Sequence, residues 1–119
     1  MINTAGLAYP KKAAKKKRKK HPKSIIPQTP GACYLCSTEK MDARQQYTEE
    51  HHIFDGPRRA LSEEYGLKVR LCPQHHRIGP QAVHNDAKRM RLLQRIGQMA
   101  FEQEYGHEKF MEIFGKDYR

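Results

Sequence analysis

Apolar positions in this chain follow two periods. From Leu67 to Leu71 they alternate with basic residues, Leu67-Lys68-Val69-Arg70-Leu71, a period of two that predicts a half-buried strand with a basic face. Further on they recur at helical spacing. Met90, Leu93, Ile96, Ala100 and Phe101, flanked by Leu92 and Met99, predict one face of an amphipathic helix capped by Asn85 or Asp86 and ended by Gly106. Phe110, Ile113 and Phe114 predict one more short helix, ended by Gly115. All these C-terminal apolar residues are read as core.

The middle of the chain is more polar. A turn or loop is expected over residues 41–47, leading into a short strand over residues 46–53. Asp55-Gly56-Pro57-Arg58-Arg59 is a turn signal, because Gly permits positive φ and Pro fixes the next one. Ser62-Glu63-Glu64 then opens a single helical turn closed by Tyr65-Gly66. Pro73 suits the first turn of a helix carrying Gln74, His75 and His76, and Gly79-Pro80 stops it.

Composition narrows the class. With 119 residues, 30% of them charged, and a mean hydropathy of −0.95, there is room for one small domain with a modest core. Such domains usually need a staple. Three cysteines cannot all pair with one another, and neither a signal peptide nor an apolar span long enough for a membrane is present, so an intracellular, cytoplasmic protein is expected. Closely spaced cysteines then point to metal before disulfide. No internal repeat and no Gly-rich phosphate loop occurs, so nucleoside-triphosphate chemistry is not indicated.

Charge is unevenly distributed. Of the net +10, the first 23 residues hold nine Lys and Arg and no Asp or Glu, leaving +1 for the rest. Residues 1–31 are therefore expected to be a disordered basic arm and residues 32–119 the folded domain. Lys15, Lys16, Lys17, Arg18, Lys19 and Lys20, with Arg58 and Arg59 in the central turn, are the candidate nucleic-acid contacts. Such a cluster binds polyanions without sequence preference.

The candidate chemistry lies in cysteines and histidines. Cys33-Tyr34-Leu35-Cys36 and Cys72-Pro73-Gln74-His75 have the C-x2-C and C-x2-H spacing of two zinc knuckles, separated by 35 residues. Structural zinc takes four thiolate or imidazole ligands in a tetrahedron, and Cys33, Cys36, Cys72 and His75 supply them while consuming every cysteine. Between the knuckles stands Glu49-Glu50-His51-His52-Ile53-Phe54-Asp55-Gly56. Adjacent imidazoles beside carboxylates form an expensive polar cluster unless a metal or substrate uses it. A regular strand would send His51 and His52 to opposite sides, so joint use requires the strand to end or twist there.

Glu-Glu-His-His-Ile-Phe-Asp-Gly followed by Leu-Cys-Pro-Gln-His-His resembles the HNH endonuclease family, the ββα-metal or His-Me finger nucleases, in particular the small zinc-stabilised proteins of phages and prophages. The likeness spans residues 33–84. It implies that His52 is the general base, that His51 and His76 are ligands of a catalytic divalent metal, Mg²⁺ or another, and that the zinc is structural. His84 either returns to that metal or belongs to a helix-capping neighbourhood; Glu50 either orients His52 or is solvated. Where the family places an Asn ahead of the third cysteine, this chain has Leu67, and Ser62, Glu50 or a backbone carbonyl is the candidate substitute.

The expected architecture is thus α+β: a basic arm, a zinc-stapled ββα-metal core and C-terminal helices over the apolar side of the sheet. The expected function is a metal-dependent DNA endonuclease of low sequence specificity, in a bacterial or phage setting with a recombination or packaging protein as possible partner. The rival is a zinc-stabilised nucleic-acid-binding module without catalysis.

Overall fold

A computed structural model describes residues 22–119, so the expected contacts of Lys15, Lys16, Lys17, Arg18, Lys19 and Lys20 lie outside the described residues. The elements in order are α1 (Tyr34–Lys40), β1 (Glu49–His52), a 3-10 turn (Gly56–Arg58), α2 (Arg59–Tyr65), β2 (Lys68–Leu71), one wide π-helical turn (Gln74–Ile78), α3 (Ala87–Tyr105) and α4 (His107–Phe114). Among the described residues no helix is long and apolar enough to cross a membrane. The protein is a small α+β fold built on one antiparallel pair of strands.

Local chemistry accounts for most of these boundaries. Cys33 caps α1, its sulfur accepting the Cys36 amide, so the C-x2-C knuckle is the opening of a helix. β1 is shorter than expected because backbone pairing begins only at Glu49↔Leu71; it runs through His52↔Lys68 and continues in the Ile53 amide bond to the Leu67 carbonyl at 2.9 Å. α2 is longer than one turn, since it starts directly on the 3-10 turn at Arg59 rather than at Ser62. Ser62 sits inside it, donating to the Phe54 carbonyl and accepting from the Phe54 amide, both at 2.8 Å, which locks α2 against the end of β1. Asp86 caps α3 through the amides of Lys88 and Arg89.

The helical apolar face predicted for the C-terminal region packs against the sheet except at Met99, which lies on the flank of α3 and is 52% exposed rather than core. Leu93 and Phe101 of α3 and Phe110 and Phe114 of α4 are buried with Ile53, Phe54, Leu67, Val69 and Leu71 in one core. Phe110 and Phe114, four apart on α4, stack with centroids 4.4 Å apart, and Phe54 lies 5.0 Å from Phe114. Gly97 lets α3 approach the end of β1, because a Cβ there would stand 3.0 Å from Ile53 Cγ2. Buried Gln98 ties the C-terminus to α3: its Nε2 donates to Glu102 and Asp117 and its Oε1 accepts the Tyr118 amide.

Two expectations change. The basic face of β2 is not an open phosphate surface: Lys68 is 3% exposed, because α2 covers that side and supplies Glu63 at 3.0 Å, with Glu50 of β1 at 3.5 Å. Arg70 is the outward residue, and its guanidinium donates to the Thr48 hydroxyl and carbonyl. Residues 24–28, expected to belong to the arm, are also docked. Ser24 donates to the Lys68 carbonyl at 2.6 Å, Gln28 Oε1 accepts the Arg70 amide at 2.8 Å, the Ile25 amide bonds the Gly66 carbonyl at 2.9 Å, and Ile26 enters the core. Side chains thus satisfy the outer edge of β2, which would otherwise be an unpaired strand edge.

Gly66 is the hinge of that docking. Its φ of +70° is left-handed, and an added Cβ would collide with the Lys23 carbonyl oxygen and crowd the Ile25 amide nitrogen at 3.2 Å. Gly66→Ala is expected to reduce unfolding free energy by about 1–2 kcal/mol from backbone strain, with the collision adding to it. The measure is the urea midpoint of zinc-saturated protein, and an unchanged midpoint would contradict the docking.

Candidate metal centre and histidine site

Four ligand atoms converge at the junction of α1, the end of β2 and the π-helical turn. His75 Nδ1 lies 3.6 Å from Cys33 Sγ, 3.5 Å from Cys36 Sγ and 3.5 Å from Cys72 Sγ, and the Cys36 and Cys72 sulfurs are 3.9 Å apart. All four residues are buried and all three cysteines are free thiols. A tetrahedron with Zn–S of about 2.3 Å and Zn–N of about 2.0 Å has edges of about 3.5–3.8 Å, so this arrangement can hold a metal ion such as zinc. Burial, then the hydrogen bond and charge of Cys33, then the charge of Cys72 push the Cys36 thiol up to about 11. Three buried thiolates repel one another, and a divalent cation at their centre reverses that balance.

The π-helical turn sends neighbouring imidazoles apart. The amides of His75 and His76 both reach the Cys72 carbonyl, at 3.0 and 2.8 Å. His75 enters the sulfur cluster, while His76 enters a second group with His51 and His84. Ring centroids in that group are separated by 5.4 Å (His51–His76), 5.2 Å (His51–His84) and 5.0 Å (His76–His84). His84 is carried there by the bond from the Val83 amide to the His75 carbonyl at 2.7 Å, and Asn85 closes the loop by donating to the Arg77 and Gly79 carbonyls. Helix capping falls instead to Asp86.

Burial and its neighbours favour a neutral His51. His51 is 2% exposed, and its Nε2 has no hydrogen-bond partner. Burial first, and then the neighbouring charges of His84, His76 and His52, depress its pKa to about 3. His76 Nδ1 is 2.8 Å from Glu49 Oε1, and Glu49 is clamped by the Arg77 guanidinium at 2.9 and 2.7 Å and by the Tyr47 hydroxyl. Arg77 first, and His76 next, hold the Glu49 carboxyl down to about 2. A carboxylate only accepts, so His76 donates from Nδ1 and Nε2 is the nitrogen not committed to Glu49, the outer-shell arrangement typical of metal-bound histidine. Three imidazoles, one with an unsatisfied buried nitrogen, are a donor set that suits a divalent ion with open positions.

His52 belongs to a different group. β1 ends at His52 as joint use required, although the Ile53 amide still pairs with the Leu67 carbonyl, and the two imidazoles join different groups. His52 Nε2 is 2.7 Å from Glu63 Oε1, and Arg59 Nε donates to His52 Nδ1 at 3.4 Å. Glu63 Oε2 accepts from Lys68 Nζ at 3.0 Å, and Lys68 also reaches Glu50. Of the candidate orienters, Ser62 is committed to Phe54, and Glu50 joins the group through Lys68. Glu63 was missed, since only the β1–β2 register and the position of α2 bring it to His52. Arg58 Nε is spent on the Phe114 carbonyl, whereas Arg59 is exposed beside His52. No protein-family model, curated protein or solved structure matches this chain.

Purified protein is expected to carry one tightly held zinc ion, and Cys36→Ser is expected to lose both the ion and cooperative unfolding, because a structural zinc contributes on the order of 10 kcal/mol to a small fold. Elemental analysis paired with thermal melts reads both. A wild type that folds cooperatively with no zinc would contradict the clamp.

Proposed function

We propose that the protein is a metal-dependent endonuclease of the HNH, or ββα-metal, type that hydrolyses DNA phosphodiester bonds with low intrinsic sequence specificity. The observation that carries this proposal is the buried His51 Nε2 without a partner, facing His76 and His84. These three residues would hold a divalent transition metal such as nickel or zinc, to which imidazole is suited, rather than Mg²⁺, which prefers oxygen ligands. Bound there, the ion would stabilise negative charge developing on the phosphate and the leaving oxygen.

The remaining steps belong to the chain's own side chains. His52 takes the proton from the attacking water at Nδ1, the nitrogen not committed to Glu63. Water oxygen bonds to phosphorus as the bond to the 3′ oxygen breaks, and that oxygen takes a proton from solvent, leaving 5′-phosphate and 3′-hydroxyl ends. Exposed Arg59, now resting against Nδ1, lies where an approaching phosphate would draw it away. The Cys33, Cys36, Cys72 and His75 clamp stays structural, and the basic sequence of residues 11–20 supplies affinity through backbone phosphates. Recombination or DNA packaging in a phage or prophage, with a protein partner, is the setting that suits such an enzyme.

A non-catalytic zinc-stabilised nucleic-acid-binding module is the second proposal. It is favoured by the divergence of His52 from the trio and by Leu67, fully buried where the resemblance would place an Asn.

Incubation of zinc-loaded protein with supercoiled plasmid and Mg²⁺, Mn²⁺ or Ni²⁺ separates the two. Metal-dependent nicking is expected, reduced at least about 100-fold in His52→Ala, the scale of a lost general base. In His76→Ala the metal concentration for half-maximal rate is expected to rise. DNA binding without cleavage under every metal would favour the binding module.

A further inference from the structure

We propose that Glu63 is the positioning residue of His52, and that buried Lys68 in turn fixes Glu63. This role rests on the nuclease function proposed above and supplies the orienting partner for which Leu67 leaves the chain without the family's Asn.

The geometry is specific. A carboxylate oxygen cannot donate, so the 2.7 Å contact between Glu63 Oε1 and His52 Nε2 places the imidazole proton on Nε2 and leaves Nδ1 as the basic nitrogen. Glu63 stands on α2, which the Ser62 hydroxyl fastens to both backbone groups of Phe54, so the carboxylate is mounted on a fixed element. Its other oxygen is held by Lys68 Nζ at 3.0 Å. Lys68 is 3% exposed, and an ammonium removed from water this far requires ionic partners, which Glu63 and Glu50 provide.

The same contacts exclude a rival use of these residues. Oxygen and nitrogen donors of Glu50, His52 and Glu63 lie close enough together for a cation site, but the Lys68 ammonium already serves both carboxylates. The group is therefore a relay of orientation: Lys68 to Glu63, Glu63 to His52 Nε2, and His52 Nδ1 outward to the surface where Arg59 rests. Arg59 Nε at 3.4 Å is a long contact from an exposed side chain, one that a phosphate can displace.

Two readouts on the zinc-loaded full chain test the role. In wild type, side-chain ¹H–¹⁵N correlation spectra of His52 are expected to show the Nε2–H tautomer; an Nδ1–H tautomer overturns the proposal without any variant. In kinetics, Glu63→Gln keeps size but has one acceptor oxygen where His52 and Lys68 each need one. It is expected to lower kcat about 10- to 100-fold with KM and DNA affinity unchanged. In a His52→Ala background the same substitution is expected to add no loss, because Glu63 acts only through His52. Wild-type kcat in Glu63→Gln beside an inactive His52→Ala, or an equal further loss in the double variant, overturns the role while leaving the nuclease standing. Absence of metal-dependent cleavage by wild type, or undiminished cleavage by His52→Ala, overturns the nuclease and this role with it.

Discussion

The convergence of three sulfurs and one imidazole at the junction of α1, β2 and the π-helical turn is the constraint on which the rest depends. A chain with so many charged residues and a two-stranded sheet has little apolar area to bury, and the clamp joins segments 35 residues apart in sequence. It also sets geometry beyond itself. His75 is turned into the cluster, and the next residue, His76, is thereby turned out of it toward His51 and His84. One turn of backbone thus serves both a structural and a candidate chemical centre.

Strand β1 is the second organising device. Its alternation sends His51 to the histidine trio and His52 to the carboxylate and lysine group, so two different environments are built on consecutive residues. On the first side, burial and neighbouring imidazoles keep His51 neutral with an unsatisfied nitrogen. On the second, Glu63 and buried Lys68 hold His52 with its Nδ1 toward exposed Arg59.

Much of this is legible in the sequence. The clamp showed itself because its ligands come in two closely spaced pairs that use every cysteine, and α3 and α4 because their apolar residues recur at helical spacing between glycine stops. What escaped depends on contacts between elements. α1 is seven polar or mixed residues whose helical start is a cysteine cap. Lys68 follows the alternation that usually exposes a lysine, yet α2 brings a carboxylate to it. Residues 24–28 follow a basic, proline-containing sequence that suggests an arm, but Ser24 and Gln28 satisfy the open edge of β2. Glu63 reaches His52 only through the strand register and the length of α2, neither of which a local pattern contains.

The proposed function requires two metal centres of different chemistry side by side, linked through His75 and His76. X-ray absorption at both metal edges of protein purified with zinc and then loaded with one equivalent of nickel tests it directly. The zinc edge should fit three sulfurs at about 2.3 Å and one nitrogen at about 2.0 Å, and the nickel edge should fit imidazole nitrogens with no sulfur. A zinc edge without sulfur, or nickel found only among sulfurs, would contradict the account.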